Sequence, residues 1–136
     1  MARWYNLQTH DFALSVFLEH PSVRAEKKRN NKTIDLFIDG EAFDVKLSVW
    51  PKKLIGKVLA DTEFIQWFNK QQSYTRQHHK GKIFIVVADE TNPELSWKVK
   101  REFGLIRNSI NAWLKTPAYS VINETPFGLI KVFKEC

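Results

Sequence analysis

The sequence is poor in the features that mark secreted and membrane proteins. It has one cysteine, Cys136, which cannot form an internal disulfide and has no neighbouring base to activate its thiol. It contains no apolar run of about 18 residues, the length needed for a transmembrane helix. Residues 1–5 lack the apolar region of a signal peptide. We therefore expect a soluble, cytoplasmic protein that does not bind a membrane.

Residue patterns that build structural zinc sites are also missing. His78 and His79 are adjacent, so their side chains point in different directions, and no second pair of Cys or His residues lies at zinc-site spacing. His10 and His20 fall at the ends of the first predicted helix, where we expect caps or surface groups. No repeat or linker divides the 136 residues, of which 43% are hydrophobic. The composition predicts a single domain over residues 1–136.

The most informative segment that is present covers residues 34–46. Asp39-Gly40 separates two alternating apolar runs, which is typical of a β-hairpin with a two-residue type I′ turn. In the register that this turn sets, Leu36 faces Phe43, and the apolar side chains of both strands share one face. The apolar pattern and the turn therefore predict the same pairing.

On the other face, the same register places Asp35 opposite Asp44. Like charges in directly opposed positions are destabilising, so a positive group is expected between them. Lys46 lies two residues after Asp44 on that face, and a divalent cation bound by both carboxylates would turn the repulsion into a binding site. The alternative is a solvated sheet face with a weak ion pair between Lys46 and Asp44. We favour the metal site because the apolar face fixes the geometry.

The order Ile34-Asp35 followed by Asp44-Val45-Lys46 resembles the motif of the PD-(D/E)xK (restriction endonuclease-like) nuclease superfamily, with Ile34 in place of the proline. The resemblance implies metal-dependent hydrolysis of phosphodiester bonds. It implies that Asp35, Asp44 and the backbone carbonyl of Val45 coordinate Mg²⁺ or Mn²⁺. It also implies that Lys46 orients or activates the attacking water and stabilises negative charge.

Members of this family often add an acidic residue from the first helix. Glu19, at the end of the predicted first helix, is our choice, and Glu26 on the first strand is the competitor. Ser48 lies on the Lys46 face, where it would contact a phosphate or a water. Trp50 continues that face, and two interpretations stay open: it stacks on a nucleic-acid base, or it covers the end of the sheet.

The flanking sequence predicts helices and strands in the core order of this family. The predicted elements are a helix from Thr9 to His20, a strand over 22–28, the hairpin, two short helices over 51–74, a buried strand over 82–88, a long helix from Pro93, and closing strands over 119–122 and 129–133. The expected fold class is α/β (α+β), with a restriction endonuclease-like αβββαβ core. Its mixed central sheet is flanked by helices, and a further helix and two strands follow at the C-terminal end.

A formal charge of +6 favours binding to a polyanion. Basic residues cluster on both sides of the hairpin: Lys27, Lys28, Arg29 and Lys32 precede it, and Lys52 and Lys53 follow it. Such groups bind phosphates with salt-sensitive affinity and without sequence preference. We expect nucleic acid as the partner, with DNA favoured over RNA.

Two functions are consistent with these patterns. The first is a Mg²⁺- or Mn²⁺-dependent endonuclease, acting alone, as a homodimer, or with a partner protein as the cleavage component of a recombination, repair, restriction or phage system. The alternative is a non-catalytic nucleic-acid-binding module on the same scaffold. Metal-dependent cleavage distinguishes the two, because only the first function requires the metal.

Overall fold

The chain folds around a six-stranded mixed sheet flanked by helices. The computed structural model describes residues 2–25, 34–57, 60–70, 81–117 and 120–134. Within these ranges the elements, in chain order, are α1 (Ala2–Leu18), β1 (Val23–Ala25), β2 (Leu36–Ile38), β3 (Glu41–Val49), the 3₁₀ segment η1 (Lys52–Leu54), α2 (Asp61–Lys70), β4 (Lys82–Ala88), the 3₁₀ segment η2 (Pro93–Arg101), α3 (Phe103–Lys115), β5 (Val121–Thr125) and β6 (Gly128–Lys134).

The six strands pair in the order β1-β2-β3-β4-β6-β5. β3 and β4 are parallel, and the other neighbouring pairs are antiparallel. A parallel pair needs a crossover connection, and the chain between β3 and β4 contains η1 and α2. The general class, a mixed α/β sheet with helices, is confirmed. Apart from the short η1, the first six elements follow the predicted order of helix, three strands, helix and strand.

The hairpin forms in the predicted register, with Leu36 paired to Phe43. The turn residues Asp39 and Gly40 have φ values of 50° and 83°. A type I′ turn requires positive φ at both central positions, and glycine adopts such a value without steric cost. Burial of Leu36 against the same core as Phe43 fixes the pairing, since a slip of β2 by one residue would turn Leu36 away from that core.

The ladder between β2 and β3 stops at Leu36. The preceding residue, Asp35, lies in a bend, and its backbone N–H donates to the carbonyl of Phe43 at 2.9 Å. β3 continues past Phe43 and keeps β4 on its other edge, with Asp44 in register with Lys82. The paired part of β2 therefore leaves the backbone of Val45 uncovered, and side chains can reach its N–H and carbonyl groups.

Two apolar layers enclose the sheet. On one face, α1 and α3 pack against the strands, and the buried side chains include Ala13, Val16, Phe17, Leu36, Phe43, Val45, Ile83, Ile106, Ile110 and Trp113. On the other face, α2 packs against a smaller cluster that includes Trp50, Phe64, Phe84, Val86 and Phe133. β4 is buried along its whole length, as predicted for a strand covered on both faces.

The first helix begins earlier than the sequence pattern predicted. α1 starts at Ala2 rather than at Thr9, and Thr9 is not a cap. Its buried hydroxyl donates to the backbone carbonyl of Lys100 at 2.8 Å, which ties the middle of α1 to η2. Because the Thr9 hydroxyl bonds to a carbonyl far along the chain, it does not mark the start of a helix as an N-cap hydroxyl would.

Other boundaries follow the predictions to different degrees. The helix predicted from Pro93 is divided, because Glu102 adopts a non-helical conformation (φ −83°, ψ 71°) between η2 and α3. The two short helices predicted over 51–74 correspond to η1 and α2, with residues 71–74 outside the described ranges. β5 continues to Thr125, three residues beyond the end of the strand predicted over 119–122. None of the helices in the described ranges is both long enough and apolar enough to cross a membrane.

Gly81 provides a test of the contact between β3 and the start of β4. Gly81 has a φ of 76°, and a Cβ added to it would lie 2.7 Å from the carbonyl oxygen of Ala42. Gly40 has a similar φ of 83°, but a Cβ added to it would have no neighbour within 4 Å. We expect Gly40→Ala to cost about 1 kcal/mol for the left-handed backbone. Gly81→Ala should cost roughly 1–3 kcal/mol more, because the strands must shift. Urea denaturation measures both losses, and equal losses would contradict the predicted clash.

Candidate active site at the end of the hairpin

Asp44 and Lys46 form a charged pair on β3. They are two residues apart on one strand, so both project from the same face of the sheet. Lys46 Nζ lies 2.9 Å from Asp44 Oδ2, and the Asp44 side chain is only 11% exposed. A contact of this length with a buried carboxylate is a charge-assisted hydrogen bond. It differs from the weak, solvated surface pair that was the alternative.

Asp35 is oriented by the backbone of β3. Its Oδ2 accepts a hydrogen bond from the N–H of Val45 at 2.8 Å, so the carboxylate occupies a position that a longer β2 would fill with a carbonyl group. The carboxyl groups of Asp35 and Asp44 are close enough for each to shift the pKa of the other. The two acids therefore meet, although the backbone ladder ends one residue before them.

His10 is the contribution of the first helix to this site. Its Nε2 lies 3.1 Å from the carbonyl oxygen of Val45 and 3.4 Å from Asp35 Oδ2. The expectation that His10 is a cap or surface group was wrong, because α1 begins at Ala2 and His10 lies inside the helix. The site therefore combines His10 from the α1 side of the sheet with Asp44 and Lys46 from the other side.

The helical pattern in the sequence places His10 on the buried stripe of the first helix, but it does not show which residues the imidazole contacts. His10, Ala13 and Phe17 are spaced by three and four residues, which places them on one stripe of a helix. Ala13 and Phe17 are fully buried against the sheet. That stripe brings His10, one turn before Ala13, to the strand edge where Val45 is uncovered.

The acids have opposite pKa shifts. Burial and the hydrogen bond with Asp35 raise the pKa of Asp44 to about 6, against the opposing effect of Lys46. Burial also raises the pKa of Asp35, but the hydrogen bonds with His10 and Asp44 outweigh it and lower that pKa to about 2. The hydrogen bond with Asp35 raises the pKa of His10, against the effect of burial. Close carboxyl groups cannot both ionise easily, so Asp44 is the member that keeps a proton longer.

Glu19, the acid expected from the first helix, lies elsewhere. It follows the last residue of α1 and pairs with Arg107 at 2.6 Å on the surface. Nine residues separate it from His10, which corresponds to about two and a half helical turns and to the opposite side of the helix. The structure therefore does not bring Glu19 to Asp35 and Asp44. The competitor, Glu26, lies outside the described residues.

Trp50 covers the end of the sheet, which is the second of its two interpretations. Its side chain is buried and packs edge-to-face on Phe64, with 5.1 Å between ring centroids. A ring enclosed in this way has no face available for a nucleic-acid base. Ser48 is half-buried on the strand between the acids and Trp50.

The structure describes two of the six basic residues that are expected to bind nucleic acid. Lys52 and Lys53 are exposed on η1, where Lys52 Nζ lies 3.5 Å from Glu94. An exposed pair at that distance contributes little to stability, so both ammonium groups are accessible to a phosphate. Lys27, Lys28, Arg29 and Lys32 lie outside the described residues.

The chemistry of the site suits a hard divalent cation. The carboxylates of Asp35 and Asp44 and the carbonyl of Val45 are oxygen ligands of the kind that Mg²⁺ and Mn²⁺ prefer. Among the described residues, no three His, Cys, Asp or Glu side chains form a group that could hold a metal ion as they stand. A cation bound here would need a backbone carbonyl to complete its ligands, and it would have to displace the Lys46 ammonium, whose side chain is 28% exposed, from Asp44.

No protein-family model, curated protein or solved structure matches this chain. Function is therefore inferred from the residues of the site, their distances and their charges. These groups lie together in three dimensions although His10 and Lys46 are far apart in the sequence.

Replacing Asp44 with asparagine should stabilise the metal-free protein at neutral and alkaline pH. The folded pKa of Asp44 is about 6, against an ordinary value of 3.8, so the folded state disfavours the charged form. The wild-type protein therefore loses stability as pH rises from about 4 through about 6. The asparagine side chain carries no charge and escapes this loss. At about 1.4 kcal/mol per pKa unit, the gain at pH 8 is at most about 3 kcal/mol.

The measurement is urea denaturation of wild type and Asp44→Asn between pH 4 and 8, with a chelator present. We expect the stability difference to be largest at pH 8 and to vanish near pH 4. Glu41→Gln is the matched control, because Glu41 is an exposed acid on the same strand. A difference that does not change with pH would contradict the raised pKa of Asp44.

Proposed function

We propose that this chain is a metal-dependent nuclease that hydrolyses phosphodiester bonds in nucleic acid, with DNA favoured. The observation that carries the proposal is the position of Lys46 Nζ, 2.9 Å from the carboxylate of Asp44, beside which the Asp35 carboxylate is held by the N–H of Val45. Two acids and one amine beside the carbonyl of Val45 correspond to the functional groups of the PD-(D/E)xK superfamily. Their arrangement suits phosphate chemistry, in which a cation and an ammonium face a developing negative charge.

The arrangement of elements supports a restriction endonuclease-like fold. β2 and β3, which carry the motif, form a hairpin that follows α1 and β1. α2 then leads to β4, which lies parallel to β3. This order of helix, three strands, helix and strand is the one that the resemblance implies. The motif and the topology thus support the same proposal from separate parts of the chain.

Each residue of the site has a distinct role in the proposed reaction. Asp35, Asp44 and the carbonyl of Val45 hold Mg²⁺ or Mn²⁺, which when bound lowers the pKa of the attacking water and polarises the phosphate. The hydrogen bond from the N–H of Val45 keeps the Asp35 carboxylate in place before any ligand arrives. Lys46 leaves Asp44 to orient or activate the water and to stabilise negative charge on the phosphate.

The position of the basic residues supports a polymeric substrate. Lys52 and Lys53 follow the strand that carries Asp44 and Lys46, roughly 20 Å beyond Asp44 at about 3.3 Å per residue. That distance corresponds to about six steps of a duplex strand, so one nucleic-acid strand would contact both places. The same site would serve a monomer, a homodimer, or the cleavage component of a recombination, repair, restriction or phage system.

Removal of either charged partner should abolish cleavage. We expect Asp44→Ala and Lys46→Ala to reduce the rate of plasmid cleavage in Mg²⁺ or Mn²⁺ at least about 100-fold, because electrostatic groups at a transition state contribute factors of that size. Binding of the same DNA should change little. The measurement is a cleavage time course on plasmid, linear and branched DNA and on RNA, with binding measured in parallel by fluorescence anisotropy.

Lys115→Ala and Glu41→Gln are the matched controls for the cleavage test. Lys115 ends the helix that packs on the opposite face of the sheet, and Glu41 is exposed at the start of β3. Both variants should cleave at the wild-type rate. If wild type cleaves no substrate with any divalent metal but binds nucleic acid, the chain is instead a binding module on the same scaffold.

The contribution of η1 to binding should appear in the salt dependence. Each phosphate contact changes the slope of log Kd against log salt concentration by about 0.9 on duplex DNA. We therefore expect Lys53→Ala to reduce the slope by about 1 and the Lys52→Ala, Lys53→Ala double variant by about 2. Lys115→Ala should leave the slope unchanged. Equal slopes for wild type and the double variant would remove η1 from the binding surface.

A further inference from the structure

A cavity of about 250 Å³ opens on the face of the sheet that α2 covers. Its apolar wall consists of Trp50, Phe64, Ile122 and Leu129. An apolar cavity of about 150 Å³ is enough to bind benzene, whereas pockets for drug-sized ligands usually measure about 300 Å³ or more. The cavity therefore has the size and the lining that suit one aromatic side chain.

Phe127 is an aromatic side chain that neither apolar layer encloses. It is 67% exposed, more than any other large hydrophobic side chain among the described residues. In the turn between β5 and β6, the Thr125 hydroxyl accepts from the N–H of Phe127 at 3.2 Å and donates to the carbonyl of Gly128 at 3.1 Å. Gly128 packs so closely on Val99 of η2 that an added Cβ would lie 2.7 Å from the Val99 side chain. The turn is therefore fixed, and it holds the ring away from the molecule.

The rim of the cavity is acidic. Glu90 and Glu124 bring exposed carboxylates to it, and the exposed Lys57 brings one ammonium group. A further ammonium in the wall, that of the buried Lys131, lies 2.8 Å from Asp61, which neutralises it. Two carboxylates at the entrance disfavour a phosphate and favour a basic protein surface. This chain, with a formal charge of +6, can itself supply such a surface.

A basic side chain accompanies the exposed ring. Lys98 is exposed on η2, directly before the Val99 that packs on the turn. The cavity lies close to the same turn, because Glu124 and Leu129 form a pair next to it and line the cavity. β5 is an outer strand of the sheet and has no Lys or Pro that would obstruct another chain. One hairpin therefore carries a ring with a cation beside it and a cavity with an acidic rim.

We infer that the chain forms a two-fold symmetric dimer in which Phe127 of each copy fills the cavity of the other. A two-fold interface is built from one patch that is complementary to itself, so both contacts form at once. A ring and a cavity on the same hairpin meet this requirement. Lys98 of each copy then lies near the acidic rim of the other. The contact uses none of the residues assigned to phosphodiester hydrolysis, so it does not depend on the proposed function.

The test is sedimentation equilibrium of the full chain over a range of protein concentrations. We expect a monomer–dimer equilibrium for wild type. Phe127→Ser should raise its Kd at least about 100-fold, because an aromatic anchor in a pocket dominates the affinity of an interface. Phe103→Ser is the matched control, since Phe103 is also exposed but lies on α3, stacked on Phe12, and it should leave the Kd unchanged. A monomeric wild type, or a dimer that Phe127→Ser leaves intact, would overturn the inference.

A mixing experiment tests the exchange of rings. Ile122→Arg places a charge in the apolar wall, and it should not disturb the fold because Ile122 is 56% exposed, which circular dichroism checks. This variant keeps the ring and loses the cavity, whereas Phe127→Ser keeps the cavity and loses the ring. Each variant alone should be monomeric, and their mixture should form a heterodimer joined by one ring in one cavity. A mixture that associates no more than either variant alone would exclude the exchange.

The same variants identify a different occupant and separate this inference from the nuclease proposal. If wild type is monomeric and Phe127→Ser weakens its binding to DNA, the ring contacts nucleic acid and the dimer is wrong. If the dimer forms as expected but no substrate is cleaved with any divalent metal, only the nuclease proposal fails.

Discussion

Asp35 and Asp44 are brought together by a hairpin that has one favourable register. The apolar side chains of Leu36, Ile38, Phe43 and Val45 are all buried on the opposite face, and each contributes roughly 1.5–3 kcal/mol when it leaves water. A slip of β2 by one residue would turn Leu36 and Ile38 away from this core. The cost of the charge on Asp44, to which burial contributes most and Asp35 next, is about 3 kcal/mol by the size of the Asp44 pKa shift, and it does not exceed that loss. The acids therefore stay close although each disfavours the charge of the other.

The groups around the acids reduce this repulsion in three ways. Lys46 bonds to Asp44, the N–H of Val45 bonds to Asp35, and the imidazole of His10 contacts Asp35 from the far side. All three present positive charge or a donor to a carboxylate. Natural proteins retain such locally unfavourable arrangements mainly where function requires them. A cation bound between the acids would further reduce the repulsion that these three groups reduce in part.

The early end of β2 gives the site its access from both faces of the sheet. If β2 continued in the ladder, its backbone would cover the N–H and carbonyl of Val45. Instead the chain bends at Asp35, a side chain takes the N–H, and His10 reaches the carbonyl from the α1 side. β4 meanwhile holds the other edge of β3 in a parallel pairing buried on both faces. Beyond Phe43, one edge of β3 is therefore paired with β4, whereas on the other edge the side chains of Asp35 and His10 reach the backbone of Val45.

Local signals in the chain were enough to predict the hairpin, its register and the meeting of Asp35, Asp44 and Lys46, because a two-residue turn and an alternating apolar pattern act over a few residues. The element order was also predictable, since helices and strands differ in the spacing of their apolar residues.

Three features required the folded molecule: His10 rather than Glu19 reaches the acids, Trp50 is enclosed, and the ladder ends at Leu36. These outcomes depend on contacts between distant segments, such as Thr9 with Lys100 and His10 with Val45. The sequence around such a side chain does not indicate which distant residue it will contact.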